Sequence, residues 1–364
     1  MTRTLIVSTC GTSLFTNFAG EQRGLINQWS NVTQLHDVPA DAQAAVQAVI
    51  DSAPERVLGA SQTAIREASA ELNALLAYLQ HTSGLVIHIL LHTDTWLGRE
   101  SADLVRTWLA DNGHGDTQLI TASNLRTSSQ TDFQLALSDL TKTLIEQLDA
   151  YRAQGYRIVF NLTGGFKAIS GYLQTIGSIY ADEQLYLFER STELMVIPRL
   201  PVRLDAQPTF RDHLATYRRL AARLPVTPDA ARMLPETLVL RLGDDAALSA
   251  WGELLWQQAR DALYSEQLYT PPSTRVRYGP KFAKSIEQLP PERIAMVNAR
   301  IDDLCVFIET GREPKKSATF KQIVGKPRPG QTHEMYAWSD QDARRLYGAY
   351  DGNTFVLDEL GKHL

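Results

Sequence analysis

The chain has 364 residues, 44% of them hydrophobic and 21% charged, which is too long for one ordinary domain and apolar enough for more than one core. Its 36 Lys and Arg against 41 Asp and Glu leave a net charge of −5, which excludes a polyanion binder by bulk charge. Two cysteines, Cys10 and Cys305, match no metal or redox spacing, so a disulfide scaffold is unsupported and a reducing, cytoplasmic setting is expected.

The opening stretch from Met1 to Ser13 has too short an apolar patch for a signal peptide and reads as a buried strand. No apolar run approaches the ~20 residues that span a bilayer, so no membrane partner is expected. After the strand Thr4–Thr9 and a Gly/Ser/Thr loop, helical spacing covers Asp41–Asp51 and Ser61–Gln80; in the second, Ile65, Ala68, Leu72, Leu75, Leu76 and Leu79 share a face. Leu85–Leu91 is a strand, Asp94-Thr95 a loop, Ser101–Asp111 a helix, Leu119–Thr121 a strand and Thr131–Gln154 a long helix. Arg157–Phe160 is a strand that runs into Asn161-Leu162-Thr163-Gly164-Gly165-Phe166-Lys167; Ala168–Ala181 is helical, and Gln184–Glu189 and Leu194–Ile197 are strands. Apolar strands alternating with amphipathic helices predict an α/β fold with a mainly parallel sheet, and ligands beyond its carboxyl edge.

From about Pro201 to Thr270 the pattern becomes helical, with stretches at Arg211–Arg223 and Ala246–Tyr264 around Pro225, Pro228 and Pro235. Pro271-Pro272-Ser273-Thr274 then opens a further unit: strand Arg275–Tyr278, helices Lys281–Gln288 and Pro291–Thr310, a basic loop, and strands Glu334–Trp338, Arg344–Tyr350 and Thr354–Glu359. Asp351-Gly352 signals a hairpin between the last two. This last stretch carries 15 basic and 12 acidic residues, against 21 and 29 upstream, so it is the better candidate for touching nucleic acid. The boundaries read as 1–205, 206–270 and 271–364.

Two loops carry the first functional reading. Ser8-Thr9-Cys10-Gly11-Thr12-Ser13 and Asn161 to Lys167 each follow a strand, and their amides and hydroxyls suit an anion, with Lys167 adding charge at a helix start. Neither is a Walker A or a GxGxxG loop, which disfavours a hydrolysed triphosphate or a dinucleotide cofactor. Ordinary tight turns with glycine for sterics are the bland alternative. The Asn-x-Thr-Gly-Gly-x-Lys loop after a Ser/Thr-Gly-Thr/Ser loop resembles a CARF domain, over roughly residues 1–205. That resemblance implies a Rossmann-like sensor of type III CRISPR systems, dimeric, binding cyclic oligoadenylate across a two-fold axis, with a four-nucleotide ring (cA4) expected. It carries Gly11, Thr12, Ser13, Thr95, Arg99, Thr163, Gly164, Gly165 and Lys167 over as ligand contacts. Some members also cleave their ligand, a step that Thr12, Ser13 and Lys167 would serve here.

In the C-terminal stretch Arg312, Lys315, Lys316, Lys321, Lys326 and Arg328 stand in and beside a loop, and Tyr336, Trp338, Tyr347 and Tyr350 interleave with Arg344, Arg345, Lys362 and His363. Cations among aromatic rings suit single-stranded RNA, although alternate strand residues usually face a core. The strand–helix–helix–three-strand order, with Arg345-Leu346-Tyr347 and a Gly361-Lys362-His363 ending, resembles the RelE/ParE toxin superfamily and implies a small α+β ribonuclease. The resemblance implies a metal-free mRNA interferase acting at the ribosome by attack of a ribose 2′-OH on the adjacent phosphate. Arg345 would carry transition-state charge, His363 would be acid or base, Lys362 and Lys321 would be supporting cations, and Tyr347 a stacking or proton-handling group. No His/Cys/Asp/Glu cluster has metal spacing, so no metal or cofactor is expected.

These readings join into one expectation: a homodimeric, cyclic-oligoadenylate-activated ribonuclease that meets mRNA and the ribosome, with no DNA partner, in antiviral defence. Two alternatives stay open. One is a sensor or ring nuclease with a non-catalytic C-terminal module; the other is a transcription regulator whose connector is a winged helix.

Overall fold

A computed structural model describes residues 2–125, 129–165, 167–187, 193–201, 205–314, 319–323 and 330–362, with no description of the side chains of Lys167 and Ala168. The chain divides into two compact units, Met1–Arg203 and Leu204–Leu364. Among the described residues no helix is long and apolar enough to cross a membrane.

The first unit is Rossmann-like α/β. Its strands β1 (Arg3–Thr9), β2 (Leu85–Thr93), β3 (Asp116–Ala122), β4 (Arg157–Asn161), β5 (Glu183–Leu187) and β6 (Leu194–Pro198) form a sheet in the order β3-β2-β1-β4-β5-β6. All neighbours are parallel except β5 and β6, as apolar strands alternating with helices predict. The order reverses between β1 and β4, and at such a switch point the loops leaving adjacent strands part to opposite faces and open a crevice. The two Gly-rich loops leave these two strands. The part of the strand Gln184–Glu189 beyond Leu187 lies outside the described residues.

The stretch Ser61–Gln80 is two helices, Gln62–Ala68 and Ala70–Leu79, where the spacing predicts one. Ser69 breaks them: its backbone is extended (φ −127°, ψ 116°) and its hydroxyl accepts from the amide of Leu72 at 3.1 Å. Serine forms this cap readily, and here it outweighs the apolar periodicity that continues across it. The break sets the first turn of Ala70–Leu79 under the sheet rim. A second difference concerns Thr95, read as loop. The helix begins at Trp96, and Thr95 is its N-cap.

In the second unit the stretch read as helical holds helices Gln207–Arg211, Leu214–Ala221, Pro228–Arg232 and Ala250–Glu266, and also a hairpin of β7 (Val239–Leu242) and β8 (Asp245–Leu248). Four-residue strands carry too little periodicity to be told from helix. Their core, built on Phe210, Tyr217, Leu248, Trp256 and Leu263, packs against Ala295 and Ala299 of the helix Pro291–Thr310. Buried Arg218 bonds Asp302 of that helix, 2.6 Å from Nη2.

The remaining strands are β9 (Val276–Tyr278), β10 (Phe320–Gln322), β11 (His333–Trp338), β12 (Arg344–Asp351) and β13 (Thr354–Lys362), in the sheet order β10-β11-β12-β13-β9. The chain order thus gives an antiparallel meander closed by a parallel β9. Three-residue β10 lies in the stretch read as a basic loop. The β12–β13 hairpin turns at Gly352 and Asn353, with Gly352 at φ 59°, the positive value such two-residue turns require.

Candidate functional site

At the switch point, Ser8 of β1 pairs with Asn161 of β4, and the two loops that follow touch through backbone. A Cβ on Gly11 would stand 2.8 Å from the Gly165 nitrogen, and one on Gly164 2.2 Å from the Thr9 carbonyl oxygen. Glycine is therefore a steric requirement at both positions, whatever the loops bind. The Thr9 hydroxyl donates to the Gly164 carbonyl at 3.2 Å, and the Asn161 amide to Ser8 Oγ at 3.2 Å and to the Glu71 carbonyl at 2.9 Å. Thr163 Oγ1 lies 2.6 Å from Asn161 Oδ1 and 3.2 Å from the Ala70 carbonyl. One network thus joins both loops to the start of the helix Ala70–Leu79.

The structure brings Gly11, Thr12, Ser13, Thr163, Gly164 and Gly165 to this rim, with the backbone of Lys167 beginning the next helix. The Lys167 side chain lies outside the described residues. Thr95 and Arg99, expected as ligand contacts, are engaged by the protein. The buried Thr95 hydroxyl accepts from the Gly98 amide at 2.8 Å and meets Thr93 Oγ1 at 2.9 Å. The Arg99 guanidinium donates to the carbonyls of Asp94, at 2.8 Å, and Thr33, and to Gln34 Oε1 at 3.1 Å. Both hold the end of β2 in place.

Sequence reasoning missed Glu71 and Cys10. Glu71 is only 1% exposed, its Oε1 lies 3.8 Å from Cys10 Sγ, and among the described residues its Oε2 has no hydrogen-bond partner. Burial pushes its carboxyl up to about 7, against the pull of its own amide, the Ser69 hydroxyl, the Cys10 thiol and the Gly11 amide. Burial and Glu71 both push the Cys10 thiol well above its ordinary value. A carboxylate in an Ala/Leu-rich helix looks like a solvated position. Its place one turn before Leu75, on the buried side of the helix, is what turns it inward.

In the second unit, register places Lys321, Glu334 and Tyr347 in one row across β10, β11 and β12, and Tyr336, Arg345 and Gly361 in the next across β11, β12 and β13. Arg345 pairs with Glu334, donates to the Tyr336 hydroxyl at 3.1 Å and lies 4.4 Å above that ring. Among the described residues its Nε has no partner. Lys321 Nζ stands 3.5 Å from Glu334 Oε1 and 5.7 Å from the Tyr336 ring. The sheet therefore gathers Arg345, Lys321, Glu334 and Tyr336 on one face, which by register Tyr347 and its cross-strand partner Glu359 share; Glu334 is the member that sequence reasoning left out, while Tyr336 stood among the rings suited to RNA. Alternation on β11 was the available signal.

Two expected members stand differently. Tyr347 is fully buried and its hydroxyl donates to the Lys362 carbonyl at 3.0 Å, so it is packed in the protein and offers no face to a base. Lys362 pairs with Arg344, one residue out of step with the Arg345–Gly361 pair, and the pleat sends it to the other face. His363, and with it Lys315, Lys316, Lys326 and Arg328 of the basic loop, lies outside the described residues.

Residues 66–200 match the family model of the CRISPR-associated protein (Cas_APE2256). The match supports a CRISPR-associated protein. It spans Glu71, β2 and the Asn161–Gly165 loop, and so covers much of the rim just described. No curated protein matches the chain.

Proposed function

We propose that this chain is a cyclic-oligoadenylate-activated, metal-independent endoribonuclease of a CRISPR defence system, with a homodimeric CARF-type sensor in its first unit and a RelE-like nuclease in its second. The observation that carries the reading is the Arg345–Glu334–Tyr336–Lys321 cluster on one sheet face, in a chain whose first unit matches a CRISPR-associated family. The rim at the β1–β4 switch point supports an anionic ligand such as cA4, held by main-chain amides and glycines.

In the proposed reaction, Glu334 takes the proton of a ribose 2′-OH, whose oxygen forms a bond to the adjacent phosphorus. The bond from phosphorus to the 5′-oxygen breaks, and that oxygen leaves with a proton from His363. The products are a 2′,3′-cyclic phosphate and a 5′-OH. Arg345 and Lys321 neutralise the extra charge on the phosphorane, the guanidinium fork matching two of its oxygens. Tyr336 orients Arg345 by hydrogen bond and ring stacking. In the structure as it stands Glu334 is engaged by Arg345, so substrate must draw the guanidinium onto phosphate before the carboxylate is free to act. Such a change of partner is one that a sensor ligand can bias.

In vitro translation with purified chain and cA4 tests the reading. Messenger cleavage that depends on cA4 and is lost in Arg345→Ala is the expected result. Conversion of cA4 to linear products with intact messenger would instead identify a ring nuclease. Cleavage independent of cA4 would overturn the proposed gating.

A further inference from the structure

The loops of the rim rest on a carboxyl group that anion binding by their amides does not use. Glu71 is the second residue of the helix Ala70–Leu79. A Cβ on Gly164 would lie 3.1 Å from Glu71 Oε2 and one on Gly11 3.9 Å from it, so only glycine backbone separates the carboxyl from the proposed ligand cradle. The groups facing it are the Cys10 thiol and Gly11 amide at the end of β1, the Ser69 hydroxyl and its own amide at the helix start, and Gly164 of the second loop. Among the described residues none of these is a cation. Among the described residues an ionised Glu71 would thus be a buried charge that meets no counter-ion, with one oxygen lacking a donor, the arrangement that favours the neutral acid.

A negative ligand on the same amides would repel that charge and compete with it for the Gly11 amide. We infer that Glu71 is the proton-linked floor of the cradle, so that an anionic ligand settles on the Gly11 and Gly164-Gly165 loops together with a proton on this carboxyl. The inference rests on the sensor reading and adds its regulation by pH. The sign follows from linkage. The carboxyl of the free protein titrates at about 7, and a bound anion raises it further. Below that pH the acid is neutral in both states and affinity is flat. Above it each ligand must bring a proton, and affinity falls by up to about tenfold per pH unit until the bound state also ionises.

Isothermal titration of the full chain with cyclic tetraadenylate, from pH 6 to 9 in buffers of different ionisation enthalpy, counts the protons. Wild type is expected to take up as much as one proton per Glu71 engaged at pH 8 and to lose affinity between pH 7 and 8.5. Glu71→Gln is expected to bind with flat affinity and to lose that uptake. Wild-type affinity that is flat above pH 7, or uptake that persists in Glu71→Gln, overturns the linkage alone. Failure of both proteins to bind at pH 6 overturns the sensor reading and the linkage with it. Should Glu71→Gln not fold, the wild-type proton count decides.

Discussion

Arg345 and Glu334 form an ion pair across β11 and β12, each side chain only 7% exposed. A buried pair of this kind adds little net stability when both partners are present, but removing one leaves an uncompensated charge, at a cost of ~3–5 kcal/mol. The same pair lies at the centre of the proposed nuclease face. Its two roles separate by choice of substitution.

Glu334→Gln keeps the shape and a hydrogen-bonding group beside Arg345 but cannot accept the 2′ proton. Loss of a general base slows cleavage by about 10²–10⁴, while removal of a donor to the transition state, Arg345→Ala, costs about 10²–10³. Both are expected to retain cA4 binding. The measurement is RNA cleavage by variants whose folding is checked by circular dichroism. Wild-type cleavage by folded Glu334→Gln would remove this residue from the mechanism.

Tyr347 separates a packing role from a chemical one. Its ring is fully buried and its hydroxyl donates to the Lys362 carbonyl. Tyr347→Phe should therefore cost only ~1 kcal/mol, the net worth of one hydrogen bond, and leave cleavage within a few-fold of wild type. Tyr347→Ala should cost ~3–5 kcal/mol through the cavity it leaves. Urea unfolding paired with the cleavage assay checks both. A hundredfold loss of activity in a stable Tyr347→Phe would restore the proton-handling role.

The contrast between Tyr347 and Glu334 shows where sequence reasoning reaches its limit. The strand from Leu85, the helix Pro291–Thr310 and the final hairpin were legible because long apolar stretches and a Gly352 turn specify them locally. Which pleat face a residue occupies was legible in principle. Yet Lys362 and Arg345 were grouped by residue type, and register separates them. The engagement of Thr95 as a cap and of Arg99 with Thr33 and Gln34 depends on neighbours remote in sequence. Glu71 was hidden for a different reason: its spacing one turn before buried Leu75 was legible, but a carboxylate was read by type as solvated.

The close loop contact at the rim predicts an asymmetry between two glycines of the same segment. A methyl group on Gly164 would stand 2.2 Å from the Thr9 carbonyl oxygen, whereas one on Gly171 meets nothing within 4 Å. Gly164→Ala must push the loops apart and should cost ~1–3 kcal/mol, the range for overpacking, and weaken cA4 binding. Gly171→Ala, within the helix Lys167–Tyr180, should stabilise by ~0.5–1 kcal/mol through helix propensity. Thermal unfolding and ligand titration of the pair check this; equal behaviour of the two would mean that the loops yield freely.

Glu71 should reveal itself in stability without any ligand. In the unfolded chain it ionises near its ordinary value of 4.5, and in the fold burial holds it up to about 7. Between these values the folded state keeps a proton that the unfolded state has released. Its contribution is therefore fully present below 4.5 and is lost as pH rises through 7. That raised value corresponds to ~3 kcal/mol above the window, at ~1.4 kcal/mol per pH unit. Glu71→Gln carries no such penalty, because its amide stays neutral. The two proteins should be about equally stable at pH 4.5, and the variant should gain with rising pH until the difference levels off above 7. Taking the difference cancels the carboxylates they share. Urea midpoints measured at several pH values decide the matter, and a variant that is less stable than wild type at pH 8 would mean that the ionised carboxylate is favoured in the fold.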